Sequence, residues 1–356
     1  MAQLIVPIGL PASGKSTYRA QWLAEDPDGR IAVSYDDLRL GMFGPDWVWN
    51  RREEEQMKKQ ARMIVQKALM AGLSVIVDNT NLSRRVRSSW QDLGRDVGAE
   101  YIEVDVSTPL AECIRRDRQR GDKRVGQAVI DEMALRYGYL DFSSCSCAAQ
   151  EPSSTLDFHL HKAADGSWHR RWCYGTQPIV IVDIDSTVSN CDARLHHIQL
   201  SCTQCNEPWE DDFSRPLVGN CIVTGQPHIK SKKNWPAYFS EEPNDPPIAG
   251  TIRLINLLSQ DHLIVFVSGR LISMGNRKTG ILTEDWLFSH NVPFDRLFLK
   301  RGDDHRRAVE HKKDILGFLP KARVAYVFDD DPSCVEMYQA ELRGAGTVIL
   351  QPTREG

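Results

Sequence analysis

The 356-residue sequence contains no apolar run longer than a β-strand, no amino-terminal signal pattern, no low-complexity tract and no repeat at solenoid spacing. Without long runs there is no membrane-spanning helix, and the missing leader points to a soluble chain of a reducing, cytoplasmic compartment. Excess positive charge is absent too. At a formal net charge of -4 the chain has no global field to gather nucleic acid, so a polyanion must meet a local basic patch. IRRDRQRGDKR at 114–124 is such a patch, with six basic and two acidic side chains and a balance of +4, although a solvated helix face reads the same way. Nine cysteines are present; in a reducing compartment they are expected to be buried, free or metal-bound rather than paired as disulfides.

Apolar residues make up 41% of the chain, enough for a core in each of two domains. In the first part, β-rich runs at 4–9 (LIVPIG), 31–35 (IAVSY), 73–79 (LSVIVDN) and 101–106 (YIEVDV) alternate with charged, helix-compatible stretches. That rhythm predicts an α/β domain with a parallel sheet over 1–140. DFSSCSCAAQEPSST opens a break in the rhythm, assigned as a linker over 141–176. A second α/β series over 177–356 follows, with PIVIVDID at 178–185, HLIVFVSG at 262–269 and VAYVFDDD at 324–331.

GLPASGKS fits the phosphate-loop pattern, with a strand before it and a helix-compatible stretch after it. Gly9, Ser13, Gly14 and Thr17 belong to the expected nucleotide cradle; Lys15 supplies charge to the β/γ-phosphates of ATP, and the Ser16 hydroxyl can hold Mg²⁺. Phosphoryl transfer also needs a base near the acceptor and a cation on the transferring group. SYDDLR places Asp36 at a strand end with Arg39 one helical turn on, a base and an anion clamp. DNTNL at 78–82 closes the third strand, where Asp78 is either a partner of Mg²⁺ or a strand terminus; Arg116 and Arg120 stand four apart on one side of a helix.

In this order and near these separations, the set resembles the kinase domain of phage-type polynucleotide 5′-kinase/3′-phosphatases. The resemblance implies that Asp36 is the general base for a 5′-hydroxyl, that Arg39 and Thr80 hold the acceptor strand, and that Arg120, supported by Arg116, stabilises the transition state. DIDST at 183–187 resembles the first motif of the haloacid dehalogenase superfamily, with Ser186 in place of the usual glycine. Asp183 would attack phosphorus, and Asp185 would protonate the leaving alcohol and then activate water. Ser268 and Arg270 in VFVSGR, and Arg194 in DARLHH, would bind the phosphorylated substrate, and Asp183, Asp185, Asp329 and Asp330 would hold Mg²⁺. Lys312 is the expected counter-charge to the aspartyl-phosphate, with Ala308 where the family pattern has an acidic residue.

Together the motifs imply an Mg²⁺- and ATP-dependent enzyme that phosphorylates 5′-hydroxyl and dephosphorylates 3′-phosphate ends of RNA or DNA. The alternative is a bifunctional small-molecule kinase and phosphatase. The phage relatives also imply a homo-oligomer, in the host cytoplasm if phage-encoded. Residues 199–231 expand a connection after the first phosphatase motif. Cys202, Cys205, Cys221 and His228 there are a candidate zinc set for a cap element, with Cys191, His196 or His197 as alternative fourth ligands and scattered thiols as the competing reading. Cys145 and Cys147, with His159 and His161 beyond, are read as part of a flexible or hairpin-forming linker.

Overall fold

The computed structural model describes residues 1–106, 108–141, 157–162, 168–173, 177–204, 220–221, 223–226, 232–275 and 277–352. The chain divides into two compact units, one of Met1–Gln177 with Gly275–Ile281 and Gly317–Pro320, the other of Pro178–Met274, Leu282–Leu316 and Lys321–Gly356.

The first unit runs β1 (Gln3–Ile8), α1 (Lys15–Glu25), β2 (Arg30–Ser34), α2 (Tyr35–Phe43), α3 (Arg51–Met70), β3 (Ser74–Asp78), α4 (Arg84–Val97), β4 (Glu100–Asp105), α5 (Leu110–Arg118) and α6 (Gln127–Arg136). The four strands form a parallel sheet in the order β2-β3-β1-β4. β1 is apolar on both faces because both are covered. Leu4 and Val6 pack with Met57, Ala61 and Val65 of α3 and Trp90 and Leu93 of α4, while Ile5, one residue out of phase, packs with Trp22 of α1 and Ile76.

The predicted linker holds short strands, β5 (Leu140–Asp141), β6 (Asp157–Lys162) and β7 (Trp168–Cys173), in a sheet ordered β5-β7-β6. β6 and β7 pair antiparallel, so the segment contains a hairpin. Cys145 and Cys147 lie outside the described residues.

The second unit runs β8 (Ile179–Val182), α7 (Trp235–Ser240), α8 (Ala249–Leu258), β9 (Leu263–Leu271), α9 (Thr279–Ser289), β10 (Arg296–Lys300), α10 (Ala308–Phe318), β11 (Val324–Phe328), α11 (Pro332–Glu341) and β12 (Val348–Leu350). Its sheet is parallel in the order β10-β9-β8-β11-β12. β8 is buried along its whole length, as a central strand covered on both faces must be. The chain passes from β8 to β9 on one side and pairs β8 with β11 on the other. The crevice at the carboxyl ends of β8 and β11 is therefore the place where a parallel sheet holds a ligand.

Candidate active sites

In the first unit, β1 delivers the chain into the phosphate loop. Gly9 has no room for a side chain: a Cβ there would stand 2.7 Å from the Val106 carbonyl oxygen and 2.5 Å from Ser13 Oγ. Gly14 takes φ 106°, a left-handed turn that lets α1 begin at Lys15. Thr108 Oγ1 donates to the Ser13 carbonyl at 2.6 Å and fixes the loop from the β4 side. Lys15 is buried and its Nζ donates to the carbonyls of Gly9 (2.9 Å) and Leu10 (2.7 Å). Burial lowers its pKa to about 8, opposed chiefly by the Asp78 carboxylate. Ser16 is exposed at the start of α1, with Oγ 3.4 Å from Asp78 Oδ2, and the same carboxylate oxygen is paired with Arg19 Nη1 at 2.8 Å, so a hydroxyl and a carboxylate oxygen, the donor types that Mg²⁺ takes, meet beside the loop. Thr17 is exposed beside Ser16, and the Arg116 guanidinium lies 3.7 Å from the Cβ position of Gly14.

DNTNL reaches the same loop, since the Gly9 N–H donates to the Thr80 carbonyl at 3.1 Å. Asn81 is the anchor. It is buried at φ 49°, and its amide donates to the carbonyls of Pro7 (2.9 Å), Val77 (3.0 Å) and Asn79 (3.1 Å).

Asp36 does not sit at a strand end. β2 stops at Ser34, whose hydroxyl accepts from the Asp37 N–H at 3.2 Å, and this cap places Asp36 in the first turn of α2. Its side chain is 93% exposed and its Oδ1 accepts from Arg39 Nη1 at 2.7 Å. Arg39 also makes two 2.9 Å bonds to Glu54 of α3, a buried partner that no local sequence pattern marks. Arg39 is thus held in a fork by two carboxylates, and Glu54 keeps its orientation with Asp36 left open to solvent.

Arg120 follows α5. Its Nη1 stands 3.6 Å from Asp117, and Asp117 is buried with its carboxylate accepting the N–H groups of Val125 (3.1 Å) and Gly126 (2.8 Å). The basic stretch therefore begins as the exposed last turns of α5, with Arg115, Arg116 and Arg118 in solvent, and ends in a turn whose N–H groups close on Asp117.

In the second unit, Asp183 and Asp185 leave the end of β8 and line one cleft with Ser268, Lys312 and Asp330. Lys312 Nζ lies 3.1 Å from Asp183 and 2.7 Å from Asp329. Burial opposes its charge, yet the two carboxylates hold it well above its usual pKa. Burial raises Asp183, with Lys312 in opposition, and burial followed by the Asp183 charge raises Asp329 to about 7. Ligand oxygens of Asp183, Asp329 and Asp330 lie within 4.8 Å of one another, an all-oxygen set that fits a hard divalent cation.

Asp185 is not in that set. Although burial favours its neutral form, Arg270 and Arg194 hold its pKa below the usual carboxylate range. Arg270 Nη2 donates to Asp185 Oδ1 at 2.7 Å, and Arg194 Nη2 bonds the same oxygen. Among the described residues Asp185 supplies no carboxylate to that cluster, and Arg194 and Arg270 turn to Asp185 and Asp245. Both arginines are fully buried, and Asp245, itself 4% exposed, accepts from Arg194 Nη2 at 2.7 Å and Arg270 Nη2 at 2.8 Å. Two guanidiniums pressed on one carboxylate need a second one, and Asp245 is that residue. It is 51 residues from Arg194 in sequence and lies outside every motif.

Ser186 stands at φ 57°, the left-handed region where glycine is unstrained, and its Oγ is 3.1 Å from Cys191 Sγ. A Cβ built on Gly269 would stand 3.0 Å from Ala308 Cβ, so the end of β9 passes close against the start of α10. Of the candidate zinc set, Cys205 and His228 lie outside the described residues, while Cys202 and Cys221 are buried. The alternative ligands are engaged elsewhere: Cys191 with Ser186, His196 Nδ1 with the Ala193 carbonyl at 2.8 Å and His197 with Glu241 at 2.9 Å.

Comparison with known proteins adds to this geometry. Residues 4–140 match the AAA domain family and residues 229–351 match the family described as polynucleotide kinase PNKP phosphatase domain. An L-seryl-tRNA(Sec) kinase of Methanococcus maripaludis is 29% identical over 233 residues, covering 63% of this chain and 82% of that protein. A protein of Autographa californica nuclear polyhedrosis virus, named as a bifunctional polynucleotide kinase/RNA ligase, is 28% identical over 354 residues. That match covers 95% of this chain but only 41% of the viral protein. A structure of a Pnkp1/Rnl/Hen1 RNA repair complex aligns over 98% of this chain and 95% of its own at 21% identity, with a TM-score of 0.34.

Proposed function

We infer that this chain, an AAA P-loop kinase domain followed by a polynucleotide-kinase-type haloacid dehalogenase phosphatase domain, heals broken nucleic-acid ends. It is a polynucleotide 5′-hydroxyl kinase and 3′-phosphatase. A break with 5′-hydroxyl and 3′-phosphate ends cannot be joined until one end gains a phosphate and the other loses one, and a chain with both sites does both. The observation that carries the reading is the pairing of a buried phosphate-loop lysine in the first unit with the Asp183, Lys312 and Asp329 cluster in the second.

In the kinase, Lys15 and the loop N–H groups around Gly14 bind the ATP phosphates, and Ser16 and Asp78 face the place where Mg²⁺ would screen them. Asp36 takes the proton from the 5′-hydroxyl, Arg39 and Thr80 hold the acceptor, and Arg116 and Arg120 offset charge on the transferring group. In the phosphatase, Asp183 attacks phosphorus, and the P–O bond to the 3′ oxygen breaks as that oxygen takes a proton that Asp185, ionised between Arg194 and Arg270 in the free enzyme, relays from solvent. Asp185 then takes a proton from the water that opens the aspartyl-phosphate, releasing inorganic phosphate. Ser268 holds the phosphoryl oxygens, Lys312 balances their charge, and Asp183, Asp329 and Asp330 would hold Mg²⁺, which supplies further charge neutralisation. Arg194 and Arg270 act by holding Asp185. A chain acting on ATP and nucleic-acid ends works where both occur, in the cytoplasm, and self-association belongs to the same reading.

Salt separates this from the small-molecule alternative. Kinase activity on an oligonucleotide should fall steeply as salt rises while activity on a nucleoside changes little, because only the polymer releases counterions from its backbone. Equal salt dependence would favour the small-molecule reading. We extend the proposal to a structural zinc ion on Cys202, Cys205, Cys221 and His228. Metal analysis of the purified protein should give about one zinc per chain, lost in Cys202→Ser; protein that folds without zinc contradicts it.

A further inference from the structure

The cleft that holds Asp183 and Asp185 encloses about 1490 Å³. Ordinary small-ligand sites fall at roughly 300–1,000 Å³, so the space holds far more than one phosphoryl group. Its lining also includes Trp235, Tyr238 and Phe239 of α7. Asn234 fixes that short helix at both levels: its side chain accepts from the Ala237 N–H at 3.2 Å, and its own N–H donates to the His197 carbonyl at 2.8 Å. Tyr238 is buried, with the Arg194 guanidinium 4.2 Å from its ring centroid, and Arg194 bonds Asp185. One helical turn therefore ties the aromatic wall to the residue that protonates the leaving group.

Trp235 differs from its neighbour in being 44% exposed. Its ring stacks on Phe239 at 5.6 Å and 22°, meets Tyr238 edge-on at 5.7 Å, and has the Lys233 ammonium 5.6 Å from its centroid. A half-open indole, backed by a second ring and flanked by a cation, offers a π-face to whatever enters. Lys300 and Arg307 also line the cleft, beside Arg306, which Asp304 and Asp314 already pair, so the rim suits a molecule that is anionic as well as flat. A nucleotide at the end of a strand has both properties.

We propose that Trp235 is the stacking platform for the nucleobase of the nucleotide that carries the 3′-phosphate. The inference rests on the 3′-phosphatase reading and deepens it. Trp235 is a positioning residue: it seats the terminal base so that the phosphate lies over Asp183, and it tolerates any base because every base has a π-face. A base paired and stacked in a duplex must leave its neighbours to reach the platform, so unpaired 3′ ends are the better substrates.

A double cycle tests this with the full chain, using one oligonucleotide with an ordinary 3′-phosphorylated terminal nucleotide and one whose terminal nucleotide is abasic. Wild-type kcat/KM should drop on removal of the base by roughly 5- to 150-fold, the range that corresponds to one base–aromatic stack. Trp235→Ala should lose a similar factor on the ordinary end, mainly through KM, and almost nothing on the abasic end, while Trp235→Phe recovers most of the loss. Equal losses on both substrates, or no loss on either, overturn the platform. Trp235→Leu keeps apolar bulk without the large π-face, so the same cycle can be read if the alanine variant does not fold. A wild-type enzyme inactive on both oligonucleotides overturns the 3′-phosphatase reading itself.

Discussion

At the scale of the residue, the phosphatase site turns on which carboxylate faces which cation. Asp183 and Asp329 share Lys312, whereas Asp185 is held by Arg194 and Arg270, so two aspartates two positions apart carry different proton affinities. Asp245 keeps both guanidiniums in place. Asp245→Ala should remove most 3′-phosphatase activity, leave the kinase unchanged and cost about 3–5 kcal/mol in denaturant unfolding of the second unit, because it leaves buried charge uncompensated. A variant with wild-type stability and phosphatase activity would contradict that role. The contrast with Asp183 shows what the sequence displays. Asp183, Asp185 and Lys15 are legible because their chemistry is packed into a few consecutive residues. Asp245 and Glu54 are not, because each acquires its partner only when distant elements pack, and a lone acidic residue has no signature. Arg194 and Arg270 were legible as arginines of the site but not in what they touch, since a motif says nothing of burial.

At the scale of the element, the strands that carry motifs follow from apolar runs such as VIVD and PIVIV. The short β10 and β12 do not stand out, because RLFLK and VIL offer too few apolar residues in a row to tell a strand from a helix segment or a loop. The apolar run at 31–35 overshoots the strand-to-helix corner at Ser34 by one residue, since the cap hydroxyl rather than the run decides where α2 begins. The same reasoning applies to the turn after α5. Asp117 gathers the Val125 and Gly126 N–H groups, and the intervening turn carries Arg120. Asp117→Ala should lower kinase kcat by about 10²-fold by displacing Arg120, with little change in the KM for ATP. Arg120→Ala should cost about 10³–10⁵, since it removes the charge itself. Steady-state kinetics of the pair checks the order; an Asp117 variant with unaltered kcat would remove this turn from the mechanism.

At the scale of the whole molecule, two α/β units each place their chemistry at the carboxyl ends of parallel strands, and each has its own sheet and its own anion site. The α/β character and the two series were legible from the spacing of apolar runs. The hairpin of β6 and β7 was only one of the alternatives there, because short polar strands resemble loops. Independent sites imply separable activities. The most direct measurement offers a 5′-hydroxyl, 3′-phosphate oligonucleotide with ATP and Mg²⁺ to wild type, Lys15→Ala and Asp183→Asn, reading 5′ labelling and phosphate release on the same sample. The account predicts both reactions from wild type, phosphate release alone from Lys15→Ala, and 5′ labelling alone from Asp183→Asn. A wild-type protein that does neither, or variants that lose both together, would contradict it.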